Sequence, residues 1–188
     1  MMRRYLIKRN CGSSMIEVLV TIVILVIGLL GLAGLQMKTQ AIEMESYQRT
    51  QAMVILNDMV NRFQANRNTP DDYIASGTVG GTAQACGGLT GAALDLCEWG
   101  NMLRGASETA GGNNVGAMIG ARGCITEIQA RDTAACTPGV YEITVTWQGM
   151  FKTVAPNNTC AKALNLYGDD TQRRAISLRV SNGTGSCT

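Results

Sequence analysis

The chain has 188 residues with 16 Lys and Arg, 14 Asp and Glu and no His, a formal charge of +2. That length suits one domain plus a short appended segment, and the lack of His removes the commonest general base. A basic surface of the kind that binds nucleic acid is not evident from counting, the less so if the four basic groups of the first twelve residues are removed.

The first segment reads M-M-R-R-Y-L-I-K-R-N-C-G, with Arg3, Arg4, Lys8 and Arg9 and no acid. A basic flank before an apolar run predicts a cytoplasmic N-terminus. The run that follows, Gly12 to Leu35, is apolar except for small residues, Thr21 and one carboxylate, Glu17. Its length can span a bilayer. An acid at the centre of a membrane helix carries a penalty of roughly 2.5 to 3.5 kcal/mol on insertion scales, so Glu17 needs a partner. A secretory signal would place its apolar region before a small-residue cleavage site and lose both. Here the candidate bond, Gly12-Ser13, precedes the apolar run, so cleavage would leave the helix on the mature chain. A lipoprotein reading of Cys11 fails because Lys8, Arg9 and Asn10 stand where an apolar stretch is required.

Beyond the apolar run the helical pattern continues without Pro. Met37, Ala41, Met44, Ala52, Ile55, Met59 and Phe63 recur three or four apart with Gln48 in the one gap, which predicts an amphipathic continuation of the same helix. Asn68-Thr69-Pro70 ends it near Asn66. From Ser13 to Asn66 such a helix would be roughly 80 Å long. Gly28, Gly31 and Gly34 are spaced by three, and either close helix packing or a loosened helix fits them. The segment from Thr69 to Gly88 reads as loop. Thr90 is placed to cap a short helix ending at Leu103, with Trp99 and Leu103 on one face. Loops follow around Gly111 to Asn114. Strand signals then cover Gly123 to Gln129, Tyr141 to Trp147 and Ile176 to Val180. The last two alternate apolar and polar residues, as in an antiparallel sheet with one covered and one wet face. The stripe of the long helix is the expected cover.

Seven cysteines become six if Cys11 leaves with the leader: Cys86, Cys97, Cys124, Cys136, Cys160 and Cys187. An even set beyond a membrane helix reads as disulfides in an oxidising compartment. Fifteen pairings are open, and pairing in order of neighbours, 86 with 97, 124 with 136 and 160 with 187, is the expectation. With no His and no C-x-x-C pair, zinc is not expected, and neither a cofactor nor a catalytic residue is indicated. Asn165, Asp169 and Asp170 are the one candidate calcium set, with a solvated turn as the alternative. Arg173, Arg174 and Lys152 could meet phosphate, but a solvated strand entrance is the simpler reading.

A short basic leader, a glycine, small residues, a carboxylate five residues past the glycine and an apolar helix resemble the processing site of type IV pilins. The likeness narrows to minor pilins of the PilV kind. It rests on Ser14 to Val20 and Ile27 to Gln36, then on Gln51-Ala52, Leu56, Asp58-Met59, Arg62 and Ala65-Asn66, and more sparsely on Asp95-Leu96, Glu98-Trp99 and the strand Tyr141 to Trp147. Ser13 departs from the Phe usual after the cut. The resemblance implies an α+β pilin fold with a disulfide-stapled head: leader 1–12, membrane and assembly helix 13–36, its amphipathic second half 37–66 and a periplasmic head 67–188. It also implies prepilin peptidase cleavage at Gly12-Ser13 and N-methylation of Ser13. In the mature chain, side chains count 12 basic against 14 acidic, a balance of −2. Glu17 would be the assembly residue, neutralising the Ser13 amine of its own or a neighbouring subunit. The partners implied are major and other minor pilins, the inner-membrane assembly platform and a tip adhesin. A pseudopilin of type II secretion shares the leader and the glutamate.

Overall fold

A computed structural model describes residues 14–183 apart from 75, 76, 106–108, 112, 115, 117 and 133. Helix α1 runs Met15–Ala65, unbroken because no Pro falls in it, and the chain turns off through Asn66 to Pro70, where Asn66 N still donates to Arg62 O. The chain divides into two units, one up to Ala41 and one from Ile42. In the first, every described side chain from 14 to 40 is exposed.

The second unit holds the core. From Gln48 onward the α1 stripe is buried: Ala52, Ile55, Leu56, Met59, Val60 and Phe63 join Gln48. The expected stripe stops there, since Met37 is 67% and Met44 46% exposed. The stripe packs into one core with Tyr141, Ile143, Val145 and Trp147 of the sheet. Burial of side chains of this size stabilises by roughly 1.5 to 3 kcal/mol each.

The stretch expected to be loop carries two short elements, helix α2 (Asp71–Ile74) and strand β1 (Thr78–Val79). Both are too short to show a period; pairing of β1 with Cys124 and Gly123 makes it a strand. Helix α3 is Gly91–Leu103, preceded by an extended Thr90 whose side chain makes no capping bond. Trp99 and Leu103 are both buried, as their shared face predicts. Strands β2 (Thr109–Ala110) and β3 (Asn113–Asn114) pair across the expected loop. Strands β4 (Ile119–Gln129), β5 (Gly139–Gln148) and β6 (Arg173–Asn182) are longer than the patterns that announced them.

The main sheet is antiparallel in the order β1-β4-β5-β6. Ile125 pairs with Ile143, and the β5–β6 register runs unbroken from Gly139 opposite Asn182 to Gln148 opposite Arg173. This helix-on-sheet head is the α+β pilin fold that the resemblance implied. The wet face, however, is only partly wet. Thr144 and Thr146 are 3% and 0% exposed, because the connection from β5 to β6 folds back and Tyr167 bonds Thr146 Oγ1 through its hydroxyl at 3.0 Å. Conversely, Leu178 on the edge strand is 39% exposed, so the helix cover does not reach the whole apolar face.

Candidate functional site

Glu17 sits in the first turn of α1, where Glu17 N and Val18 N donate to Ser14 O at 2.9 and 3.2 Å. A carboxylate there meets the positive end of the helix macrodipole, a favourable contribution of about 0.3 to 1 kcal/mol where exposed. Further along, two threonine hydroxyls turn inward: Thr21 Oγ1 donates to Val18 O at 2.8 Å and Thr39 Oγ1 to Leu35 O at 3.0 Å. With the Thr21 donor satisfied internally, the helix presents an apolar surface on all sides from Val18 to Leu35. By length and composition it can cross a membrane. Gly12 and Ser13, the expected cleavage and methylation residues, lie outside the described residues, as do Cys11 and Cys187.

The head is held to its own stretch of α1 by two clusters of charge. Arg62 bonds Asp58 at 2.8 Å, Asp95 at 3.1 Å and Glu98 at 2.5 Å, joining α1 to α3. Burial acts to lower the Arg62 pKa, but its bonds to Glu98, Asp58 and Asp95 outweigh that and hold it above the usual value. Tyr73 donates its hydroxyl to Asp95 Oδ2 at 2.6 Å; burial first, then that bond, pushes its pKa up. Sequence reading marked Arg62, Asp58, Asp95 and Glu98 by family likeness, but no spacing tells that they meet across 33 and 36 residues.

The second cluster corrects the reading of Arg173 and Arg174 as a solvated strand entrance. Arg173 is 0% exposed. Its guanidinium donates to Asp170 Oδ1 (2.6 Å), Asn158 Oδ1 (2.7 Å) and the carbonyls of Cys160, Pro156 and Asn158. Arg174 bonds Glu45 Oε1 at 2.6 Å, Thr153 Oγ1 at 2.7 Å and the carbonyls of Phe151 and Thr171. Neither is free to meet phosphate. Lys152 is exposed and pairs with Asp169 at 3.2 Å. Of the calcium candidates, Asp169 caps the short turn at 170–172 through Thr171 N, which holds its carboxyl below the usual range. Asp170 is likewise lowered, chiefly by its hydrogen bond to Arg173, and also contacts Lys162. Asn165 stands in a left-handed turn. Among the described residues no group of three potential ligands is gathered for a metal.

Cys86 is bonded to Cys97 and Cys124 to Cys160. The neighbour pairings of Cys124 with Cys136 and Cys160 with Cys187 therefore do not form. The fold-back of the 149–172 connection brings Cys160 over β4, where it makes a small buried cluster with Cys124, Ala161 and Tyr167. Cys136 is disulfide-bonded too, to a partner outside the described residues.

Residues 7–33 match the family model of the prokaryotic N-terminal methylation motif. No curated protein and no solved structure matches the chain. The matched stretch contains Gly12, Ser13 and Glu17, and together with the apolar helix and the α+β head it supports a type IV pilin-like protein.

Proposed function

We propose that this chain is a minor pilin that primes assembly of a type IV pilus and is incorporated near its tip. One observation carries the reading: Glu17 stands in the first turn of an exposed apolar helix, five residues past Gly12 and inside the matched methylation motif. On this reading the leader 1–12 is cut off at Gly12-Ser13, the new Ser13 amine is methylated, and 13–36 becomes the membrane and assembly segment. Residues 37–66 continue the helix and 67–188 form a periplasmic head with oxidised cysteines. A charged amine and a carboxylate are each costly in apolar surroundings, and pairing them between neighbouring subunits offsets both costs. The PilV-like stretches Ser14 to Val20 and Ile27 to Gln36 favour the pilus over the short fibre of type II secretion.

The test combines intact mass with a functional readout. Mature protein from sheared fibres should begin at a methylated Ser13, and Gly12→Trp should leave a precursor about 12 residues longer in the membrane. Deletion should reduce the number of fibres per cell. An uncut N-terminus in piliated cells overturns the processing; loss of secretion with normal fibres assigns the chain to type II secretion instead.

A further inference from the structure

The β5–β6 connection carries apolar side chains that the head leaves uncovered. Met150 is 44%, Phe151 43% and Val154 91% exposed. The segment is nevertheless tied down: Gly149 N donates to Gln172 O and Thr153 N to Thr171 O, both at 2.8 Å. Arg174 then joins it to α1, giving Nη2 to Phe151 O at 2.6 Å, Nη1 to Thr153 Oγ1 and Nε to Glu45. An exposed apolar set on a fixed loop marks a contact surface.

Its place along α1 says what covers it. At one end of β5, Tyr141 packs on Phe63 with ring centroids 5.1 Å apart. At the other, Trp147 shares a cavity of about 400 Å³ with Ile42, Glu45, Ser46 and Arg49. Strand β5 therefore runs back along α1 toward Ile42, and the loop emerges at the Ile42 end of this unit. Ile42 is six residues past Gln36, the last residue of the apolar segment, so in no conformation is it more than about 22 Å of chain from it.

We propose that the tip of this loop, Met150, Phe151 and Val154, inserts into the lipid headgroup boundary of the membrane that α1 crosses. The proposal rests on the membrane anchor rather than on the pilus reading. Apolar and aromatic groups at a bilayer boundary bury surface there, and an anchored chain makes that contact intramolecular. Lys152 is already paired with Asp169, so attraction is apolar and needs no anionic lipid.

Val154→Trp places a probe on the most exposed of the three without touching the core. The full chain is reconstituted in phosphatidylcholine vesicles with bromine near the headgroup end or the tail end of the acyl chain, and the wild-type signal of Trp99 and Trp147 is subtracted. The added emission should shift blue and lose roughly half its intensity to the shallow bromine, much less to the deep one. The quenching should persist in salt and on dilution with lipid, and Phe151→Glu in the same chain should reduce it. Leu89→Trp, beside the start of α3, should stay unquenched. Absence of quenching in vesicle-bound protein overturns the proposal, as does equal quenching at Leu89. A signal that falls on dilution with lipid shows a second copy covering the loop and also overturns it. If the chain fails to float with vesicles, the anchor reading falls and this proposal with it.

Discussion

The benzo half of the Trp99 indole packs against Gly123. A β-carbon at Gly123 would clash with the benzo half of the ring, within 3 Å of Cη2, Cζ3 and Cζ2. Trp99 is 0% exposed and donates Nε1 to Ile55 O at 3.1 Å, so it cannot withdraw without losing that bond. Gly123→Ala should destabilise the head by about 1 to 3 kcal/mol through overpacking. Adding Trp99→Leu should cost less than the sum of the two single changes, because the added methyl then has room. Denaturant unfolding of the detergent-solubilised chain followed by circular dichroism reads both; strict additivity would mean that the ring and the methyl do not compete.

Arg173 should be a structural residue with a pH signature. Arg173→Met removes the donor from Asp170, Asn158 and three carbonyls at once and should cost about 3 to 5 kcal/mol, as breaking buried charged networks does. Asp170 has a folded pKa below the ordinary carboxylate value, chiefly through Arg173. A depressed value of this kind adds stability that is full above about pH 4 and is lost as pH falls through the folded value. Wild type should therefore lose thermal stability on acidification through this range more steeply than Asp170→Asn. Parallel pH profiles for the two would count against the coupling.

Disulfide mapping by non-reducing peptide mass spectrometry should find Cys86 with Cys97 and Cys124 with Cys160. Cys136 should be found with Cys187, the cysteine that would remain if Cys11 leaves with a cleaved leader. The register supports this last pair: Gly139, three residues past Cys136, sits opposite Asn182, five before Cys187. In the chain-entropy model the bridge across 36 residues stabilises by about 4 kcal/mol and the one across 11 by about 3. Cys124→Ala with Cys160→Ala should therefore lower stability more than the matching change at 86 and 97. A 124–136 peptide would contradict the fold-back of the connection.

What was legible in the sequence was whatever repeats locally. The apolar run of α1, its stripe from Gln48 to Phe63 and the alternation of Tyr141 to Trp147 each carry their own period, and Glu17 stands out because an acid in such a run is costly. What was not legible depends on how distant segments meet. Cys160 pairs with Cys124 only because the 149–172 connection folds over the sheet, and the same fold-back buries Thr146 and Arg173. An Arg-Arg pair at a strand start looks solvated until a carboxylate and four oxygen acceptors from a loop close around it. Strand β1 has two residues and no pattern, and exists by virtue of its partner β4.

Glu17→Ala should separate assembly from folding. The residue lies in the unit that ends at Ala41, while the core and both mapped disulfides belong to the unit that begins at Ile42, so the head should fold normally. Removing a charge from an apolar helix should also ease insertion by up to about 2.5 to 3.5 kcal/mol. The methylated or free Ser13 amine of a neighbouring subunit, however, would lose its counter-charge in a low-dielectric setting, and leaving one member of such a pair unpaired costs about 3 to 5 kcal/mol. That difference corresponds to more than a hundredfold loss in an assembly equilibrium. The variant should be cleaved, accumulate in the inner membrane and be scarce in sheared fibres, with fewer fibres per cell if it no longer primes. Glu17→Asp, which keeps the charge on a shorter arm, should recover part of the incorporation, whereas Glu17→Gln should not. Quantitative immunoblots of membrane and sheared fractions read each variant against wild type, and incorporation of Glu17→Ala at the wild-type level would show that the carboxylate has no part in assembly.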